Sequence, residues 1–111
     1  MSGRLETSLF VLQRLTAMIL APLVLIHLAT IIYAVHGGLS AAEILSRTRG
    51  SLLWGGLYGL FVLAAGLHGS VGLRTVLREM TPVGLRGANT LSLLFLLAVL
   101  AFGLRAVEAL V

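Results

Sequence analysis

The stretch LTAMILAPLVLIHLATIIYAV, residues 15–35, contains no Asp, Glu, Lys or Arg. A helix needs roughly 17 to 25 mostly apolar residues to cross the hydrocarbon core of a bilayer. Two further runs meet this requirement, SLLWGGLYGLFVLAAGLHGSVGL at residues 51–73 and ANTLSLLFLLAVLAFGL at residues 88–104. The sequence therefore predicts three membrane-spanning helices.

The composition indicates the same class of protein. The chain has 111 residues, of which 59% are hydrophobic and 11% are charged, and its mean hydropathy is +1.07. A soluble domain of this length needs far more polar surface. We therefore expect an all-α membrane protein in which residues 1–111 form a single transmembrane domain. The chain has no cysteine, which excludes disulfides, thiolate metal sites and cysteine nucleophiles.

The connectors between the apolar runs set the expected bounds of the helices. We predict membrane-spanning helices over about residues 8–36, 51–79 and 88–109. Ser40 and Glu43 have the spacing of a capping box, which predicts a short interfacial helix over residues 40–47. The second connector, MTPVGLRGAN, contains proline and glycine residues that end helices.

The arginines indicate how the chain crosses the membrane. The net charge is +4, and every basic residue is an arginine that flanks an apolar run, which favours contact with lipid headgroups and argues against a nucleic-acid partner. Three spans place five arginines on the side of the N-terminus and three on the other. We therefore expect a multi-pass protein of the inner (cytoplasmic) membrane, with its N-terminus in the cytoplasm and its C-terminus outside. The two sets are Arg4, Arg14, Arg74, Arg78 and Arg86, and Arg47, Arg49 and Arg105.

Two histidines fall inside the predicted spans. If Arg14 and Arg74 lie near the cytoplasmic boundary, His68 is about 9 Å deep and His27 about 20 Å deep, at 1.5 Å per residue. A polar side chain inside a membrane is costly and indicates function. A neutral imidazole is a common ligand of haem iron. The two histidines differ in depth by roughly 11 Å, so they cannot both bind the same iron within one chain.

Polar and small residues lie on the same helix face (stripe) as each histidine, toward the cytoplasmic end. At 100° per residue, the stripe of His68 includes Gly72, Thr75 and Glu79, and the stripe of His27 includes Gln13 and Thr16. Small residues near His68 also leave room for a flat ring. The pattern predicts a haem in the apolar layer beneath a polar pocket.

The residues alone leave three classes of function open. The first is a redox anchor that binds haem, and the second is a haem-free structural or assembly subunit whose histidines bond across helices. The third is a small homo-oligomeric transporter, which the sequence disfavours because no carboxylate lies in the middle of a span.

A resemblance favours the first class. HGSVGLRTVLRE, residues 68–79, resembles the H-x-x-x-G-[IL]-R-x-x-x-x-[DE] signature in the second span of the cytochrome b membrane subunit of succinate dehydrogenase, in the succinate:quinone oxidoreductase family. LQRLTAMIL, residues 12–20, resembles the H-R-x-[ST]-G stretch before the first span of that subunit. The resemblance covers roughly residues 8–105. It implies three spans in a haem-binding helical bundle that a partner chain completes.

The resemblance also implies roles for individual residues. His68 matches the ligand of haem b, Arg14 the arginine near quinone and haem propionate, and Thr16 a small hydroxyl residue beside it. Arg74 and Glu79 match a charged pair at the cytoplasmic end of the second span. Gln13 replaces the usual histidine of the quinone pocket.

The position of His27 suggests a second haem b. In two-haem members of the family, the first span supplies a ligand to the farther haem and the second span supplies one to the nearer haem. The other axial ligands would come from a second anchor subunit or a second copy of this chain. The resemblance further implies flavoprotein and iron–sulfur subunits, with a quinone as the electron acceptor or donor and no dicarboxylate chemistry in this chain.

Overall fold

A computed structural model describes residues 3–111, and in this range the chain is almost entirely helical. Three of its four helices are long and apolar enough to cross a membrane. At 1.5 Å per residue they are about 39 to 51 Å long, which agrees with the longest dimension of the chain, 49 Å. The predicted all-α, multi-pass membrane architecture is confirmed. The helices are α1 (Gly3–His36), α2 (Ala41–Thr48), α3 (Leu52–Met80) and α4 (Leu85–Leu110).

Helix α3 lies between α1 and α4 and is antiparallel to both. Early residues of α1 contact late residues of α3, as in the pair Glu6 and Arg74. Late residues of α1 contact early residues of α3, as in the pair Thr30 and Tyr58. The start of α1, the end of α3 and the start of α4 therefore share one end of the bundle, which we call the Arg74 end. Helix α2 lies at the opposite end, the α2 end.

Small residues allow α3 and α4 to approach closely. A Cβ added at Gly66 would lie 3.1 Å from Leu96, and one added at Gly103 would lie 2.5 Å from Val62. In a membrane, helices associate through such close packing because lipid offers no hydrophobic driving force between them. Many large apolar side chains on the outer surface remain exposed, including Leu25 at 67% and Phe102 at 75%. This surface is suited to lipid or to a partner helix.

The connector at the α2 end is fixed by specific bonds. Ser40 and Glu43 form the predicted capping box at the start of α2. The Thr48 hydroxyl donates to the carbonyl of Leu110 at 2.8 Å. The Gly50 N–H donates to the carbonyl of Val111 at 3.1 Å, and Gly50 has a φ of +74°, which glycine adopts without strain. These bonds hold the connector against the end of α4.

The observed helix bounds differ from the predicted ones, most of all at two starts. Helix α1 begins at Gly3 and not near residue 8, because its first turns contain no helix breaker and Glu6 bonds to α3. Helix α4 begins at Leu85 and not at residue 88, with Gly84 as its N-cap. Helices α2 and α3 begin and end one residue later than predicted, since Ser40 and Ser51 are N-caps that precede them.

Candidate functional site

His68 contacts α1 through one ring nitrogen. Its Nδ1 lies 3.3 Å from the carbonyl oxygen of Gln13 and 3.2 Å from Oγ1 of Thr16. A carbonyl oxygen only accepts hydrogen bonds, and the Thr16 hydroxyl donates its own hydrogen to the carbonyl of Leu12 at 2.8 Å. Both neighbours therefore favour a hydrogen on Nδ1 of His68. Nε2 then carries the lone pair, and no residue in the described part of the chain bonds to it.

In this tautomer Nε2 is free to bind a metal. Imidazoles that bind a metal through Nε2 typically donate the N–H of the other nitrogen to a carbonyl or carboxylate, which fixes the ring orientation. Thr16, which contributes to this arrangement, is only 3% exposed, and Ala64, one turn before His68, is also 3% exposed. The residues around His68 thus fit an axial ligand of haem iron.

A cavity of about 510 Å³ lies between α1 and α3 toward the Arg74 end. A Cβ added at Gly72 would lie 3.4 Å from Nε2 of Gln13, so the glycine leaves room for that side chain. The cavity is lined by apolar side chains together with a few polar groups, as small-molecule sites usually are. Its polar lining residues are Glu6, Gln13, Arg74 and Thr75, and its apolar lining includes Phe10 and Val76.

The carboxamide of Gln13 has unused hydrogen-bonding capacity. Its Oε1 is buried and has no hydrogen-bond partner among the described residues. Buried polar atoms without a partner are uncommon, and each one calls for an explanation such as a missing ligand or water. The Gln13 carboxamide is therefore the group in this cavity best suited to bind a polar atom of a ligand.

Arg74 joins three helices at the edge of the cavity, although it is only 7% exposed. Its Nε donates to Oδ1 of Asn89 on α4 at 2.6 Å. Its Nη2 and Nη1 donate to the two carboxylate oxygens of Glu6 on α1, at 2.8 and 3.4 Å. Arg78 donates to the same carboxylate at 3.1 Å. We call Glu6, Arg74, Arg78 and Asn89 the Arg74 clasp.

Of the residues predicted for the quinone pocket, Gln13 and Arg74 line this cavity, whereas Arg14, Thr16 and Glu79 do not. Arg14 is exposed, and its guanidinium carbon lies 5.7 Å from the centroid of the Phe10 ring. Glu79 is also exposed and lines a separate outer cavity of about 300 Å³ with Arg74 and Arg78. Within residues 3–111, the carboxylate that pairs with Arg74 is that of Glu6 and not that of Glu79.

Sequence reasoning missed Glu6 because it began the first helix near residue 8. The signal that could have found it is the antiparallel register of α1 and α3. The register that places Thr16 beside His68 also places Glu6 near residues 74–78 of α3. Two arginines lie there, just after the apolar run of residues 51–73. A carboxylate opposite two guanidiniums is a favourable arrangement near the edge of a membrane.

His27 lies at a second level, nearer to the α2 end. The centroid of its ring is 5.1 Å from that of Phe61 and 5.8 Å from that of Tyr58. These two residues precede His68 by seven and ten positions, so the two imidazoles are separated by about 10 to 15 Å along α3. His27 also lines a cavity of about 440 Å³ with residues of α4. Unlike His68, it has a buried Nδ1 with no partner among the described residues.

Comparison with known proteins identifies the family. The family described as succinate dehydrogenase/fumarate reductase transmembrane subunit matches residues 1–106 of the chain. The chain therefore belongs to this family and is a membrane subunit of a succinate dehydrogenase or fumarate reductase complex. No curated protein and no solved structure matches the chain.

The Arg74 clasp predicts a stability defect in Arg74→Gln. The substitution removes the ion pair with Glu6 and the bond to Asn89, so we expect a loss of about 1 to 3 kcal/mol and a lower Tm. Thermal unfolding of the detergent-solubilised protein, followed by helical circular dichroism, measures this. Arg86→Gln is the matched control, because Arg86 is exposed near the start of α4. Equal Tm values for the two variants would show that the clasp does not stabilise the bundle.

Proposed function

We propose that this chain is the cytochrome b anchor of its complex and holds a haem b through Nε2 of His68. The observation that carries the proposal is the pair of contacts, to Gln13 and Thr16, that keep the hydrogen of His68 on Nδ1. A histidine that served only to join two helices would need no free nitrogen. In this site Nε2 has no partner among residues 3–111, and its lone pair is available.

The residues of this chain provide half of the haem site. His68 would be one axial ligand, and the backbone of α1 keeps its ring in a fixed orientation. A bound haem supplies a one-electron relay within the membrane. Hydrogen bonding to the ligand and the low dielectric of the apolar surroundings tune its potential. The opposite axial ligand would come from a partner chain, either a second anchor subunit or another copy of this one.

We further propose that the 510 Å³ cavity is the quinone site. The Gln13 carboxamide would donate an N–H to a quinone carbonyl oxygen, and its unpartnered Oε1 would accept the O–H of the reduced quinol. The Thr75 hydroxyl donates to the carbonyl of Val71, so toward a ligand it would act as an acceptor. Arg14 lies on the exposed side of α1, where its guanidinium can reach a haem propionate or a quinone oxygen once a partner chain covers that side. Glu79, in the outer cavity, would exchange protons with the aqueous phase.

The Arg74 end would face the cytoplasm and receive the soluble subunits. Charged residues of α1 and α3 meet there with the polar Asn89 of α4, whereas the long helices are otherwise mostly apolar. The flavoprotein and iron–sulfur subunits would dock at this end and exchange electrons with the quinone. The chain would lie in the inner membrane with its C-terminus outside. It would carry out no dicarboxylate chemistry itself.

His27 is our proposed ligand for a second haem b, nearer to the α2 end. Two observations support this proposal. His27 lies about 10 to 15 Å from His68 along the bundle, and it lines the cavity of about 440 Å³. Its Nδ1 lacks the hydrogen-bond partner that His68 has. Because such partners strengthen metal binding, we expect the His27 site to hold its haem more weakly than the His68 site.

The haem proposal predicts the absorption spectra of two histidine variants. His68→Ala should remove the b-type signal of the nearer haem from the reduced-minus-oxidised spectrum of the purified complex, because it removes an axial ligand. His27→Ala should cause a second, smaller loss. His36→Ala is the control, since His36 lies exposed at the end of α1, and it should leave the spectrum unchanged.

Three results would count against this proposal. A wild-type complex with no stoichiometric haem would favour a haem-free assembly subunit. An unchanged spectrum in His68→Ala would exclude His68 as a ligand. Purification without flavoprotein and iron–sulfur subunits, as a homo-oligomer, would favour a transporter.

The quinone proposal predicts a separable effect of Gln13→Leu. This change removes the side-chain amide but retains the main-chain carbonyl that bonds His68. We therefore expect the Kd of a neutral quinone analogue to rise roughly fivefold to tenfold, as for the loss of one hydrogen bond. The haem spectrum of the same sample should not change. An unchanged Kd would place the quinone elsewhere.

A further inference from the structure

We infer that Glu6 sets the charge preference of the 510 Å³ cavity, so that the cavity accepts an uncharged ring and disfavours an anion of the same shape. Glu6 does this by neutralising Arg74 on the cavity wall. The inference rests on the proposed function for the identity of the ligand as a quinone. The ion pair and the cavity on which it also depends are features of the structure.

Arg74 would otherwise make the cavity attractive to anions. It lines the 510 Å³ cavity and the outer cavity and is only 7% exposed. A buried guanidinium is always charged and binds carboxylates, phenolates and phosphates through its forked N–H groups. The surrounding apolar groups screen its charge less than water does. With no carboxylate beside it, Arg74 would favour anionic ligands over neutral ones.

Glu6 removes this preference through its position. Its side chain lines both cavities, and its carboxylate takes an N–H from each terminal nitrogen of Arg74. Among the described residues that line the 510 Å³ cavity, Glu6 is the one carboxylate and Arg74 the one guanidinium. Their charges therefore cancel at the cavity wall. Arg78 bonds the same carboxylate from outside that cavity, where Glu79 lines the outer cavity with it.

The expected size of the effect follows from elementary electrostatics. Removing one unit charge some 6 to 10 Å from a ligand, at an effective dielectric constant of about 20 and with partial screening, changes the affinity for an anion roughly tenfold. A neutral ring of the same shape has no net charge to respond, so its affinity should change less than about twofold. The ratio of the two affinities thus isolates the electrostatic role of Glu6 from its role in packing.

The test compares two probes on the detergent-purified complex. The neutral probe is 1,4-naphthoquinone, and the charged probe is 2-hydroxy-1,4-naphthoquinone, which is an anion at neutral pH. In Glu6→Gln, isothermal titration calorimetry should show roughly tenfold tighter binding of the anion and little change for the neutral quinone. Glu108→Gln makes the same charge change on the exposed surface near the α2 end and should alter neither affinity.

Arg78→Gln keeps the test decisive if Glu6→Gln assembles poorly, and a double variant adds a second check if Glu6→Gln assembles well. Arg78→Gln retains Glu6 and removes a positive charge, so it should weaken binding of the anion. The double variant Glu6→Gln/Arg78→Gln restores the original net charge and should bring the anion affinity back toward the wild-type value. Restoration of this kind is not expected if Glu6 has only a structural role.

The possible outcomes separate this inference from the proposed function. If wild-type complex binds neither probe, the proposed quinone site is wrong. If it binds the neutral quinone, but Glu6→Gln changes both affinities equally or changes neither, the quinone site stands and the role of Glu6 is wrong. A weaker anion affinity in Glu6→Gln would also overturn the inference.

Discussion

The contact between α1 and α3 satisfies polar groups that lipid cannot satisfy, and the rest of the arrangement depends on it. Within a bilayer, a polar group that lacks a partner in the protein has no water to replace that partner, so unpartnered groups are costly. Three interhelical bonds achieve this at three depths: Glu6 with Arg74 at one end, Thr16 with His68 further in, and Thr30 with Tyr58 toward the other end. Because all three follow one antiparallel register, each one supports the alignment of the other two. A slip of one residue would break them together.

The types of polar group change along the bundle in this register. Ion pairs lie where the helices reach the aqueous boundary, hydroxyl and imidazole groups lie deeper, and glycines at the α3–α4 contact provide close packing without polar groups. This change from polar to apolar groups along the bundle would suit electron and proton transfer, because protons need a polar route from water, whereas electrons can pass through apolar protein. The Gln13 carboxamide lies between the two zones, with a buried oxygen that no described residue bonds. In the proposed function, this carboxamide is the group that binds the quinone.

The fold could be predicted from the sequence because runs of apolar residues determine spans almost by themselves. The shared face of Gln13 and Thr16 on α1 followed from helical periodicity, and both residues contact His68 in the structure. The partners of charged residues did not follow. Arg74 was expected to act with Glu79, which lies on the same helix, yet it pairs with Glu6, 68 positions away. Only the three-dimensional register of α1 against α3 reveals such a pair. The apolar run also underestimated the length of α1, because a helix can continue through polar residues beyond the bilayer.

The two histidines show why position in a span is insufficient to define a ligand. Both lie in apolar helices, and their positions in the predicted spans alone do not distinguish them. They differ in their surroundings: α1 provides the Nδ1 of His68 with two hydrogen-bond partners, whereas that of His27 is buried without any among the described residues. An imidazole without such a partner can adopt either tautomer, and only one of them presents Nε2 to a metal. A partner chain that supplied an acceptor to Nδ1 of His27 would therefore help to create the second site. On the proposed function, the number of haems would then depend on the assembled complex and not on this chain alone.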